Sequence, residues 1–430
     1  MSPTRSNRLR RELGLGGATM MGLGSMIGTG VFVSIGIAAG VAGTALVPAI
    51  VLAALVAACN ALSSAQLAAS HAVSGGTYEY GYRYLNPTLG FTAGWMFLCA
   101  KSASAATAAL GFAGYFLRLI GGSLDAMPFV AAGAAALFTL LILGGTRRSS
   151  RANVAIVSVT LLALVAFILI GASRTFAEGA ANPLLSFLPR ETSASAFLYA
   201  TALMFVAFTG YARIATLGEE VRDPERTIPK AIIVTLIVAA ILYVGVGAVA
   251  ITGIGVDRFA NAPGAKVTPL ELAARAMEAP LLARIVAVGA ITAMLGVLLN
   301  LILGLSRVAL AMGRQGDLPP MFGRVTTSRT TPAAAVIAVG ILIAGLASIG
   351  SIETTWAFSA FTVLIYYGIT NLAALRLPDD QRLYPKWIAI AGLGACIFLA
   401  FWVPIPIWGA GLGLILVGLV WKRFAPVLWR

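Results

Sequence analysis

Charged side chains make up only 11% of this 430-residue chain, against roughly a quarter in a soluble globular domain. Water therefore cannot be its main solvent. The chain has a single histidine, His71, and three cysteines, Cys59, Cys99 and Cys396. All three cysteines fall within apolar runs and their number is odd, so no disulfide framework is implied. There is no Cys/His cluster and no pair of carboxylates inside an apolar run. Metal, haem and acid–base chemistry thus lack ligands, which argues against a membrane-embedded enzyme and against any bound cofactor or metal. His71 lies at the end of an apolar run and reads as an interfacial residue.

What the chain does have is apolar sequence: 59% of its residues are hydrophobic. Runs long enough to cross a hydrocarbon core of roughly 30 Å, which takes about 20 helical residues, recur from Gly16 to Trp421. Backbone groups in lipid must be satisfied internally, and no period-two alternation points to a barrel, so an all-α integral membrane protein of twelve transmembrane helices is predicted. The helices are expected near residues 16–41, 47–71, 91–117, 128–143, 154–172, 195–217, 231–254, 281–312, 333–349, 355–375, 387–402 and 407–420, with an amphipathic piece near 270–277.

The net charge of +14 would suggest nucleic acid in a soluble protein, but its placement follows a membrane. With the N-terminus inside, 20 of the 30 Lys and Arg fall in the tails and the even-numbered turns, among them Arg147, Arg148, Arg151, Arg226, Lys230, Arg314 and Lys386. Both termini are therefore expected in the cytoplasm, in a multi-pass protein of the cytoplasmic membrane, with the bilayer and no nucleic acid as partner. The basic opening, Met1 to Arg11, runs directly into the first helix, so no removable signal peptide is expected. The short tails fit a prokaryotic source.

Two of the predicted helices are interrupted by glycine near mid-membrane. The first contains Gly24-Ser25-Met26-Ile27-Gly28-Thr29-Gly30, and the sixth Val206-Ala207-Phe208-Thr209-Gly210-Tyr211. These breaks occupy corresponding places in two sets of five helices, the sign of an inverted repeat framing a central site. The expected organisation is an arm at 1–13, a first repeat at 14–175, a second at 195–376, two extra helices at 385–421 and a tail at 422–430. A break exposes amides and carbonyls that cost several kcal/mol each in lipid unless something polar meets them. A half-helix starting near Gly30 turns its positive end toward the break, where it can hold a carboxylate, and the preceding carbonyls can accept from an ammonium. A zwitterionic amino acid fits both; the alternative is that these glycines serve helix packing.

The stretch Gly24 to Phe32 resembles the first-helix motif of the amino acid–polyamine–organocation permeases. So do Ser74-Gly75-Gly76-Thr77-Tyr78, Phe208-Thr209-Gly210-Tyr211, the run from Glu219 to Pro229, Ser306-Arg307, and Met312-Gly313-Arg314-Gln315-Gly316-Asp317-Leu318-Pro319. The resemblance implies a five-plus-five inverted-repeat core, alternating access, and a small-molecule amino acid substrate. It places the carboxylate on amides around Ser25 to Gly28 and the amino group near Ala207. The expected substrate-binding residues are Gly24, Ser25, Met26, Ile27, Gly28, Thr29, Gly30, Val206, Ala207, Phe208 and Gly210. Val206 stands where an aromatic gate residue is common and Ala212 where a polar or acidic one is, which weakens the case for a cationic substrate.

Lys101 lies about ten residues into the third helix, roughly 15 Å deep at about 1.5 Å per residue. Snorkelling cannot reach water from there and a lone charge costs about 2.5 to 3.5 kcal/mol, so Lys101 is expected to face the bundle interior. It can then load and release a proton as access alternates, or serve as a fixed structural cation. Some permeases of the resembled family carry a lysine in helix five; here Ser158-Val159-Thr160 has none. Asn300, Ser306, Tyr366 and Tyr367 can line the pathway or bond neighbouring helices, and Glu219, Glu220 and Arg222 can close an inner gate or form a solvated charge run. The sequence thus predicts proton-coupled uptake of a neutral or small amino acid by a monomer or homodimer. Exchange, sodium symport, sensing and a channel are the alternatives.

Overall fold

The computed structural model describes residues 13–71, 75–144, 149–177, 192–215, 221–261, 266–325 and 331–428. Among them the fold is helical, without strands; Leu13 and Val221 form one isolated bridge. The helices are α1 (Leu15–Met26), α2 (Ile35–Ala42), α3 (Leu46–Ser70), α4 (Thr77–Tyr84), α5 (Pro87–Ile120), α6 (Met127–Leu143), α7 (Ser149–Ala177), α8 (Ala194–Phe208) and α9 (Ala212–Ala215). They continue as α10 (Pro224–Ile254), α11 (Val256–Asn261), α12 (Pro269–Ala276), α13 (Pro280–Arg314), α14 (Ala333–Ala347), α15 (Ile352–Leu375), α16 (Lys386–Ala400) and α17 (Ile405–Leu428).

Nine stretches among the described residues are long and apolar enough to cross a membrane. The difference from twelve has a geometric source. The first stretch, Leu15–Ser70, holds both α1–α2 and α3, while α14 and α16 have 15 residues each, about 22 Å at 1.5 Å per residue and short of an upright crossing. Boundaries are set by local chemistry. Asn86 caps α5 by accepting from the Leu89 amide at 2.9 Å ahead of Pro87, and Gly121 ends it in the left-handed region at φ 72°. Ser351 caps α15 in the same way.

Burial, rather than hydropathy, separates centre from periphery. The apolar windows of α5 and α15 are 72% buried, whereas that of α17 is 11% buried. The two central helices are rich in Ala, Ser and Thr, whose small side chains allow close approach and whose hydroxyls bond across helices. Ser104 pairs with Ser359 at 2.7 Å and Thr107 with Thr355 at 2.8 Å. The outer helices α6, α7 and α17 instead expose Leu140, Leu162 and Leu416, the surface that lipid would cover.

Between the second and third expected helices the chain forms helix α4. Its Tyr78 and Tyr82 both donate to Oδ2 of Asp317, at 2.8 and 2.6 Å. Asp317 is 2% exposed and also pairs with Lys422 of α17, while the Trp421 indole donates to its backbone carbonyl at 2.7 Å. One buried carboxylate thus ties α4, the end of α13 and α17 together at the end of the bundle where α1 begins, hereafter the near face. Burial and the neighbouring Asp317 charge both push the Tyr78 phenol well above its ordinary pKa, so it stays a donor. Removing one member of such a cluster leaves the others unpaired, and Asp317→Ala is expected to destabilise the fold by about 3 kcal/mol. The check is the unfolding midpoint in detergent, where a value equal to wild type would refute the assignment.

Candidate functional site

The first membrane helix is interrupted where its glycines predict. α1 ends at Met26, Ile27 is extended (φ −84°, ψ 103°), and a wide π-helical turn, Gly30–Ser34, leads into α2. The Ile27 amide still donates to the Leu23 carbonyl at 2.7 Å, and Val31 and Phe32 are the first amides to bond back beyond the break, to Gly28 O at 3.1 and 3.0 Å. The amides at the head of the second segment are therefore those from Gly28 onward, rather than the expected Ser25 to Gly28. Side chains also reach carbonyls of this turn: Ser34 Oγ donates to Gly30 O at 2.5 Å and Tyr115 to Phe32 O at 2.8 Å.

The sixth helix departs from expectation in degree. It does not unwind. Between α8 and α9 it tightens into a single 3₁₀ turn, Thr209–Tyr211, with Thr209 still near helical angles (φ −80°, ψ 5°). A tightened turn leaves fewer orphan groups than an extended one, and these too have partners. Thr209 Oγ1 donates to Val206 O at 2.7 Å, and Tyr367 donates to Thr209 O at 3.2 Å.

The two interruptions lie against each other. A Cβ on Gly210 would fall 2.5 Å from the N and Cα of Met26 and from the Ser25 carbonyl carbon. A Cβ on Gly30 would collide with Ala207. Each break thus presents a glycine to the backbone of the other, an approach that only a missing side chain permits. Tyr243 of α10, fully buried, bridges the pair: its hydroxyl lies 2.7 Å from Met26 O and 3.1 Å from Ala207 O. Nothing in its apolar neighbourhood marks Tyr243 as a site residue in the sequence, and sequence reasoning missed it.

Two cavities flank this junction and share Ser25, Lys101, Thr209, Gly210 and Leu301 as their common wall. The central one, about 340 Å³, is lined in addition by Met26, Thr29, Gly30, Ser104, Val206, Ala207, Val297 and Trp356. The other, about 570 Å³, extends toward the near face past Gly75, Phe97, Ala212, Arg213, Asn300, Gly304, Arg307 and Val308. The Thr29 hydroxyl, buried beside the central cavity, has no hydrogen-bond partner in the described structure. Buried hydroxyls are normally satisfied, and among the buried side-chain atoms without a partner Thr29 Oγ1 is one whose residue lines a cavity.

Of the expected binding residues, Ser25, Met26, Thr29, Gly30, Val206, Ala207 and Gly210 line the cavities. Gly24, Ile27, Gly28 and Phe208 stand behind them. Gly24 packs on Asn153, Gly28 on Val297, and Phe208 on the Tyr243 ring, 4.9 Å between centroids. Lys101 is 6% exposed and donates to Thr209 Oγ1 at 2.8 Å, and no described carboxylate pairs with it. Asn300 both lines the near cavity and donates to Asn153 Oδ1 at 3.3 Å, and Asn153 Nδ2 in turn donates to Met20 O at 3.1 Å. Ser306 bonds its own helix at Leu303 O, and Tyr366 accepts from the Thr77 amide, both apart from the two cavities. Glu219 and Glu220 fall outside the described residues. The Arg222 amide donates to Leu13 O at 2.9 Å, joining the start of α1 to the connection after α9. His71 faces Arg83 across 3.1 Å; burial, then the Arg83 charge, lower its pKa and hold it neutral.

The chain is similar to known proteins along nearly its whole length. The family model described as amino acid permease matches residues 17–430. A transporter of Mycobacterium tuberculosis is 40% identical over 412 residues, covering 96% of this chain and 90% of its own length. A branched-chain amino acid permease of Bacillus subtilis is 30% identical over 426 residues (92% and 90%), and a methylthioribose transporter of the same organism 29% over 450 residues (99% and 92%). With the match running through nearly the whole chain, this multi-pass membrane protein belongs to the amino acid permease family of the amino acid–polyamine–organocation superfamily.

Proposed function

We propose that the chain is a secondary active transporter that takes up a neutral aliphatic amino acid by alternating access, with protons as the driving ion and Lys101 as the coupling residue. The observation that carries this reading is the junction of two interrupted helices beside a cavity in which the Thr29 hydroxyl lacks a partner. The amides of Thr29 and Gly30 and the Thr29 Oγ1 take the substrate carboxylate at the positive end of the second segment. The ammonium is accepted by Ala207 O, whose second lone pair Tyr243 leaves available. Met26, Val206, Val297 and Leu301 surround the side chain, which favours an aliphatic one. Lys101, Arg213 and Arg307 line the near cavity with no described carboxylate among the lining residues, which disfavours a cationic substrate. The branched-chain permease among the relatives agrees with that choice.

The same reading takes the protein to have twelve crossings, a five-plus-five inverted repeat at 14–175 and 195–376, two further helices at 385–421, and both termini in the cytoplasm. The near face is then the cytoplasmic one. Thermal-shift screening of the purified protein against the amino acids, with and without sodium and at two pH values, tests the proposal. Aliphatic amino acids are expected to stabilise without sodium and to accumulate saturably in proteoliposomes. Stabilisation by arginine and lysine alone, or steady single-channel current, would overturn it.

A further inference from the structure

Val206, at the sixth-helix break, is aliphatic, and the aromatic ring that lines the central cavity beside it comes from another element. Trp356 lies one turn in from the start of α15, at the end of that helix remote from Thr77 and the near face. It is 3% exposed, lines the cavity beside Val206 and Ala207, and its indole N–H donates to Leu203 O of α8 at 3.0 Å. The register is held from behind. Thr355 and Ser359, on either side of Trp356 in sequence, bond Thr107 and Ser104 of α5, and Ser359 Oγ also donates to Ala100 O at 3.0 Å. α15 is thereby fixed to α5, and Trp356 spans the cavity from α15 to α8.

Resting on the transport reading above, we propose that Trp356 is the specificity residue of this site: its indole closes the far end of the side-chain compartment and limits substrates to short aliphatic amino acids. Four observations converge on this role. The ring is large and has two rotatable bonds, so it makes a stiff wall. Its N–H reaches a carbonyl on the opposite helix, which ties the ring between α15 and α8. The other walls of the compartment, Met26, Val206, Val297 and Leu301, are aliphatic and cannot reject a longer chain by polarity. The Val297 face is in turn packed against Gly28.

The experiment measures proteoliposome uptake of glycine, alanine, valine, leucine and phenylalanine by wild type, Trp356→Ala and Trp356→Phe. A pocket boundary moved by one or two methylenes changes relative rates by roughly tenfold or more. Trp356→Ala is expected to raise leucine and phenylalanine uptake relative to alanine by that factor, with Trp356→Phe intermediate. A uniform fall across all five, with ratios unchanged, would mean a merely structural role and would overturn the proposal. Should the wild type take up none of the five, the amino acid reading fails separately, and a second measurement still decides the role of the lid. In protein with Cys59, Cys99 and Cys396 replaced by Ala, Val206→Cys is labelled from the side remote from the near face by a membrane-impermeant maleimide. Trp356→Ala, or Trp356→Phe where the alanine variant does not fold, is expected to raise the labelling rate severalfold, and an unchanged rate would overturn the assignment.

Discussion

Gly210→Val is expected to eliminate measurable uptake while leaving the helical fold intact. The reason lies in what the new side chain would meet. A Cβ at residue 210 would stand 2.5 Å from main-chain atoms of Ser25 and Met26, and main chain cannot rotate away as a side chain can. Overpacking in a tight interior costs about 1–3 kcal/mol. Here it falls between the two interrupted helices, so the strain is relieved by parting them, which deforms the central cavity and the contact of Gly30 with Ala207. Gly210→Ala is expected to lose most of the activity as well. Gly345→Ala is the control, since nothing lies within 4 Å of its added Cβ, and it is expected to transport like wild type. Circular dichroism and size-exclusion profiles report folding, and proteoliposome uptake reports function. Wild-type uptake by Gly210→Ala would show that the close approach has no part in transport.

The second large effect is expected at Lys101. One pH unit corresponds to 1.36 kcal/mol, so with the membrane potential clamped and one proton per substrate, a one-unit gradient supports about tenfold accumulation. Lys101→Ala is expected to reduce that ratio to about one while amino acid binding, read by thermal shift, persists. The geometry gives Lys101 the means. Its ammonium donates to Thr209 Oγ1, and that hydroxyl donates to Val206 O at the sixth-helix turn. A neutral amine can accept as well as donate, so a change of protonation reorders this short chain within the wall that both cavities share. The charged groups that face the same near cavity are Arg213 and Arg307. A fixed structural cation would instead leave the pH dependence of uptake unchanged in the variant.

Lys101 also shows how far depth arguments reach. A count of residues from the start of the helix predicts an interior position, and the side chain is buried there. The same count says nothing of Thr209 as its partner, because that contact joins residues 108 apart in the chain. The glycine pattern likewise marks both interruptions but not their severity. Ile27 becomes extended, whereas Thr209 to Tyr211 stay near helical angles, since Tyr367 and the Thr209 hydroxyl cap the carbonyls there and the turn can remain tight. Helix α4 escaped detection because its driving contacts, Tyr78 and Tyr82 to Asp317, come from the far end of α13.

Composition, run length and the placement of glycine and basic residues, all local or additive properties, by themselves determined a helical membrane protein, a family resemblance and the first-helix break. The tertiary structure alone decided which of the marked residues face the cavity, which stand behind them, and that Tyr243 and Trp356 belong to the site at all. An aromatic residue in an apolar helix reads the same whether it meets lipid, a neighbouring helix or a pair of exposed carbonyls. Only packing across several helices distinguishes these fates, because the carbonyls that such a residue satisfies are created by breaks elsewhere in the chain.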